Sequence, residues 1–213
     1  NPMKNSHKLW LGVTAASALV LAACAPTDAG ADNESDGDQA AVESVDVAII
    51  TSTTGPLASY GAQYIDGLEA GLDYITDGTN TVDGIEINLV YGDDKGDPDT
   101  AVQLAKEQIG AGVNIIAGTA VSGISTQLAE QAEQNKILYI SGPAATDAVT
   151  GVNDYTFRSG RQSQQDVATA GTFLDTLDDS NVVVYAQQNA FGEGNVAAVE
   201  QILGAEGANV ESV

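Results

Sequence analysis

From Val45 to Val213 the chain alternates between two hydrophobic periods. VDVAIITS (45–52), IEINLVYG (85–92), VNIIAG (113–118), KILYIS (136–141) and NVVVYA (181–186) are short apolar runs rich in β-branched residues, and they read as strands. Between them, apolar residues recur every three or four positions. GAQYIDGLEAGLDYI (61–75) puts Tyr64, Leu68, Leu72 and Ile75 on one stripe, and DPDTAVQLAKEQI (97–109) does the same with Ala101, Leu104, Ala105 and Ile109. Further helices are expected over 122–135, near 163–177 and from about 192. YTFR (155–158) follows a loop, and a last strand is expected within ANVESV (208–213). Asp97 or Asp99 is suited to cap the 97–109 helix, with Pro98 in its first turn.

Strands alternating with helices of about a dozen residues specify an α/β fold, a parallel sheet flanked by helices. In such sheets ligands sit outside the carboxyl ends of the strands. The loops at 53–60, 92–98, 118–123, 142–154 and 187–192 are therefore the places to look for chemistry.

The first 44 residues have a different texture. Lys4, His7 and Lys8 precede an apolar run from Leu9 to Ala23, the layout of a secretory signal and shorter than a comfortable membrane span. Met3 reads as the natural start. Residues 25–44, APTDAGADNESDGDQAAVES, are acidic and poor in apolar side chains, as a disordered tether is. Cys24 is the only cysteine. It stands in Leu21-Ala22-Ala23-Cys24, which resembles the lipobox of bacterial lipoproteins, and the resemblance implies cleavage before Cys24 and lipid on its sulfur. With that thiol modified there is no disulfide, and a core must supply stability.

Charge and composition then remove whole classes of function. Past Cys24, five basic residues against the 30 acidic ones leave a charge of −25, which repels nucleic acid and anionic lipid. His7 is the only histidine, so the exported part has neither imidazole nor thiol for a histidine-dependent nucleophile or a zinc site. No phosphate-binding G-x-x-x-x-G-K-[ST] loop occurs. Ser122 in TAVSGI lacks the upstream glycine of a nucleophile elbow. Asp93-Asp94 closes a strand as a phosphoacceptor or magnesium site would, but DDKGDPDT reads better as a turn whose carboxylates accept from backbone donors. No catalytic residue, metal or cofactor is assigned.

What the loops do carry is small and hydroxyl side chains. TSTTGPLASYG brings Thr53, Thr54, Ser59 and Tyr60 to a helix start. GTAVSGIST brings Ser122, Gly123, Ser125 and Thr126 to another. SGPAATDA holds Ser141, Ala144 and Thr146. Free N–H groups at a helix start, joined by a hydroxyl, suit a carboxylate.

TGPLASYG, GDDKGDPDTAV, SGPAATDAVT, YTFR and QQNAFGEG occur in an order and spacing that resemble the extracytoplasmic leucine/isoleucine/valine-binding proteins, type I substrate-binding proteins of ATP-driven (ABC) importers. The resemblance covers about residues 45–213. It implies two α/β lobes that close on a solute, a nearly complete first lobe over 45–160 and a partial second lobe over 161–213. It implies that Tyr60 covers the ligand and that Ser122 and Gly123 hold its carboxylate. Ala144 and Thr146 would help to hold carboxylate and ammonium, and Phe191 stands where many members have tyrosine. The implied partners are a small amino acid, permease subunits, and a membrane reached through the anchor at Cys24. The family's usual length makes the chain read as a fragment lacking the acidic residue that pairs the ammonium. Within the same fold, a receptor for an amide, urea or aromatic acid stays open. So do a sensory module and, from another class, an exported α/β enzyme.

Overall fold

The computed structural model describes residues 43–174 and 176–213. The expected signal, Cys24 and all of the tether before Glu43 lie outside the described residues. The elements are β1 Ser44–Thr51, α1 Ala58–Thr76, β2 Thr81–Val82, β3 Ile85–Asp93, α2 Pro98–Gly110, β4 Ile115–Gly118, α3 Ser122–Asn135, β5 Leu138–Ser141, β6 Thr156–Arg158, α4 Ser163–Gly171, β7 Asn181–Val184, α5 Ala190–Ile202 and β8 Asn209–Ser212. The fold class is the α/β architecture that the two periods specify.

Six strands form one sheet in the order β2-β3-β1-β4-β5-β6, parallel throughout except for the short β2–β3 hairpin, while β7 and β8 pair in parallel as a separate two-stranded sheet. β1 lies centrally, flush with β3 from Ser44↔Glu86 to Thr51↔Asp93, and its other edge pairs with β4 from Val47↔Ile115. Chain order therefore steps from β1 to one side, then crosses to the other. The reversal makes the gap between the carboxyl ends of β1 and β4 the topological switch point, where open α/β sheets bind ligands.

The main core lies between the sheet and the helices α2 and α3. Ala48, Ile50, Ile116 and Tyr139 from the strands meet Ala101, Ala105, Ile124, Leu128 and Ala132 from the helices. The expected apolar stripe of α2 is this buried face, with Leu104 and Ile109 partly buried beside it. α1 contributes no residue to this cluster, as expected if a right-handed crossover carries it to the opposite face. A smaller cluster of Val167, Leu177, Ala198 and Leu203 holds α4 and α5 against the second sheet.

Asp97, not Asp99, caps α2: its side chain accepts from the Thr100 N–H at 2.7 Å with Pro98 next in line. α4 stops at Gly171, short of the expected 177, where glycine is a poor helix former and the Thr172 hydroxyl turns back to the Thr169 carbonyl. In α1, Tyr64, Leu68 and Leu72 are half-buried as the stripe predicts, but Ile75 is 69% exposed and Thr76 is buried, its hydroxyl donating to the Leu72 carbonyl.

Candidate functional site

α3 starts at the switch point without a side-chain cap. Its N-cap is Val121, in extended backbone, which has no group to accept from the first turn. The N–H groups of Ser122, Gly123 and Ile124 therefore have no intrahelical acceptor, and the helix dipole adds partial positive charge there. Ser122 is only 3% exposed, and its hydroxyl has no hydrogen-bond partner among the described residues. A buried hydroxyl left unpaired costs about 1–3 kcal/mol. Uncapped N–H groups plus an unpaired hydroxyl form a receptor for a carboxylate or another oxyanion.

These groups open into a cleft of about 790 Å³. The six-stranded sheet contributes Leu57 and Tyr60 after β1, Pro98 at the start of α2, Ala120 to Gly123 after β4, and Pro143 and Ala145 after β5. The far wall comes from Val184 to Gln187 at the end of β7 and Asn189 to Gly192 at the start of α5. The α5 start is capped, Asn189 accepting from the Gly192 N–H at 2.9 Å. The two helix starts nearly touch, for a side chain on Gly123 would come within 3.7 Å of the Ala190 methyl. Among the described residues no Asp or Glu lines this cleft, and the one charged residue lining it is Arg161, which pairs with Asp166. Tyr60, Tyr185 and Phe191 supply aromatic surface.

The cleft thus brings together Tyr60, Ser122, Gly123 and Phe191. Ala144 and Thr146 stand behind its wall, buried, and Ala145 lines it instead. The Thr146 hydroxyl accepts from the Ala148 N–H at 3.2 Å, capping a short turn at 147–149, and its carbonyl accepts from Arg158. Arg158 also donates to the Thr150 hydroxyl and the Arg161 carbonyl, so it fixes the whole 144–150 loop. Arg161 and Tyr185 are not among the site residues expected from the sequence. Arg161, one of five cations past Cys24, carries a signal in its rarity. Tyr185 sits two residues before the 187–192 loop and reads as ordinary strand.

A buried polar network ties α3 to the ends of β4 and β5. The Tyr139 hydroxyl donates to the Gly118 carbonyl at 2.9 Å and lies 3.0 Å from Ser125 Oγ, which is 2.8 Å from Ser141 Oγ. Burial pushes the Tyr139 phenol up to about 12, and that of Tyr64 likewise, against the lowering effect of a backbone hydrogen bond with Gly118. Both phenols stay neutral near physiological pH.

Asp93 and Asp94 turn inward on the loops. Asp93 accepts from the Thr53 N–H at 2.9 Å, the Thr54 hydroxyl at 2.6 Å and the Lys95 N–H at 2.9 Å. Desolvation pushes this carboxyl up, but the Thr54 hydroxyl and the backbone donors outweigh it and hold it at about 2. Asp94, fully buried, accepts from Ser52 Oγ at 2.5 Å, Thr119 Oγ1 at 2.6 Å and the Gly96 N–H at 2.8 Å. The helix cap expected of this turn falls to Asp97 alone. Among the described residues no group of three His, Cys, Asp or Glu side chains converges as metal ligands would.

Residues 44–213 match the family model for periplasmic binding protein. The Leu/Ile/Val-binding protein BraC3 of Rhizobium johnstonii is 27% identical over 165 residues, 76% of this chain and 45% of that protein. Among solved structures, an ABC-type branched-chain amino acid transporter from Rhodopseudomonas palustris is 36% identical with a TM-score of 0.63, over 79% of this chain and 46% of that one. A solute-binding protein of an ABC transporter from Rhodopseudomonas palustris BisB5, in complex with 3,4-dihydroxybenzoic acid, is 26% identical with a TM-score of 0.69, over 80% and 46%. The chain spans about half the length of these relatives. On the extent of the family match, the chain belongs to the periplasmic binding protein family.

Proposed function

We propose that this chain is the ligand-capturing part of an extracytoplasmic receptor that delivers a small amino acid of the branched-chain type to the permease subunits of an ABC importer. In this reading lipid on Cys24 holds the protein at the membrane, and the solute is bound and released unchanged. The observation that carries the proposal is the unpartnered, buried Ser122 hydroxyl beside the uncapped start of α3, inside a cleft. A carboxylate there accepts from the Ser122 hydroxyl and from the N–H groups of the first turn, which relieves the unpaired groups. Leu57, Tyr60, Val121, Val184 and Phe191 give the apolar surroundings that a branched side chain needs. The names of the relatives point the same way.

The lobes in this proposal are residues 45–160 and 161–213, with Arg158 to Gln164 as the crossing. The separate pairing of β7 with β8 supports the division. The Ala144 carbonyl and the Thr146 hydroxyl reach the ammonium only if their loop shifts when the lobes close, since both stand behind the cleft wall.

A second reading has its own support. Three aromatic rings, with no lining carboxylate among the described residues, suit an aromatic acid, which brings a carboxylate and a flat apolar body but no ammonium. Calorimetric titration separates the readings. L-leucine is expected to give saturable one-to-one binding. Binding of 3,4-dihydroxybenzoate alone selects the aromatic acid, and heat from neither removes both.

A further inference from the structure

We propose that Asp94 is a positioning residue for the solute site, a buried carboxylate that sets the first-loop wall against the carboxylate-binding helix start. This rests on the reading of the cleft given above. Asp94 lies at the end of β3, outside the cleft lining, with no exposed surface. Burying a carboxylate is costly unless donors surround it. Here all three donors come from segments that build the cleft. Ser52 follows β1 and leads into the loop that carries Leu57 and Tyr60. Thr119 follows β4, three residues before Ser122. Gly96 leads into Pro98. The bonds to Ser52 and Thr119 span 42 and 25 residues in sequence, so they fix tertiary rather than local geometry.

The switch point explains why one residue suffices. β1 and β4 are neighbours in the sheet, but their following loops diverge to opposite faces. The ladder between them pairs Ile50 with Gly118 and goes no further. Beyond that pair, Asp94 bridges the two chains by accepting from both. Both hydroxyl contacts are short, 2.5 Å from Ser52 and 2.6 Å from Thr119. The other acidic residue of the pair, Asp93, holds the first loop through Thr53 and Thr54 and its own turn through the Lys95 N–H. Asp94 therefore is the member that couples Tyr60 to Ser122.

Three substitutions in the full chain test this, read by amide NMR without ligand and by calorimetry with L-leucine and 3,4-dihydroxybenzoate as probes. Asp94→Asn keeps the shape but forces one hydroxyl to reverse. It should shift the Ser122, Gly123 and Tyr60 amide signals and weaken the bound probe about tenfold at temperatures where the chain is fully folded. Thr119→Val should shift Ser122 and Gly123 while leaving Tyr60 in place, and Ser52→Ala should do the reverse. These milder changes decide the matter if Asp94→Asn does not fold. A lower Tm with unmoved Ser122, Gly123 and Tyr60 signals and unchanged affinity would reduce Asp94 to a structural anchor and overturn the proposal. If the parent chain binds neither probe, the solute reading fails, while the amide pattern still decides the coupling.

Discussion

Ser122 offers a buried hydroxyl that no group among the described residues uses, and the cost falls on the empty state. Ser122→Ala should therefore leave the ligand-free chain as stable as before, or more stable by up to about 1 kcal/mol, because an unpaired buried group is removed and alanine favours the helix. With solute the sign reverses. A hydrogen bond to a charged group contributes roughly 1.5–3 kcal/mol, so affinity should fall about 10- to 100-fold at 1.4 kcal/mol per decade. Urea denaturation of the empty chain and calorimetry of the loaded one give the two halves of this expectation. Ser122, Gly123 and Tyr60 are legible in the sequence because small and hydroxyl residues after a strand carry a local signature. Asp94 is not. What it does depends on Ser52 and Thr119, residues brought to it only by the sheet order. Thr146 is legible as a hydroxyl on a rim loop, but not as one already accepting from Ala148.

Elements show the same division between local and distant causes. Glycines at 61 and 67 look alike within the apolar periodicity of α1. In the fold, a methyl on Gly61 would lie 1.8 Å from the Ser52 carbonyl oxygen, whereas one on Gly67 would meet nothing within 4 Å. Gly61→Ala should force α1 away from the end of β1, at a cost of about 3 kcal/mol or more. Gly67→Ala should stabilise the helix by roughly 0.5–1 kcal/mol. Denaturant midpoints of the two variants check the contrast. The β3–α2 turn predicts a pH dependence. Asp93 ionises at about 2 in the fold against an ordinary 3.8. Its depressed folded value means that its contribution is fully present above about pH 4 and is lost as pH falls through about 2. Thermal scans between pH 5 and pH 2 should show a shallower loss of Tm in Asp93→Asn than in the parent chain. An identical slope would show that the Thr53 and Thr54 contacts do not hold this carboxylate. Strand and helix types follow from the two periods. The early end of α4 follows from the glycine and threonine at 171 and 172, and the exposure of Ile75 has no signal in the pattern.

For the molecule as a whole, the alternation of periods is enough to specify a parallel α/β sheet, but not its strand order. The placement of β1 between β3 and β4 creates the switch point, and that placement makes one of the five rim loops, 118–123, the focus of the site. The second sheet is likewise legible only as two strands and two helices, since period alone does not tell which sheet a strand joins. The central claim is that the solute sits at the start of α3, inside the cleft between β1, β4 and α5. Amide NMR of the full chain titrated with L-leucine tests it most directly. The account predicts that the N–H signals of Ser122, Gly123 and Ile124 move first and furthest, together with those of Tyr60 and Phe191, and that Ser122→Ala blunts the response. Saturable shifts confined to other surfaces, such as the outer side of α2 around Gln103 and Lys106, with the α3 signals unmoved, would contradict it.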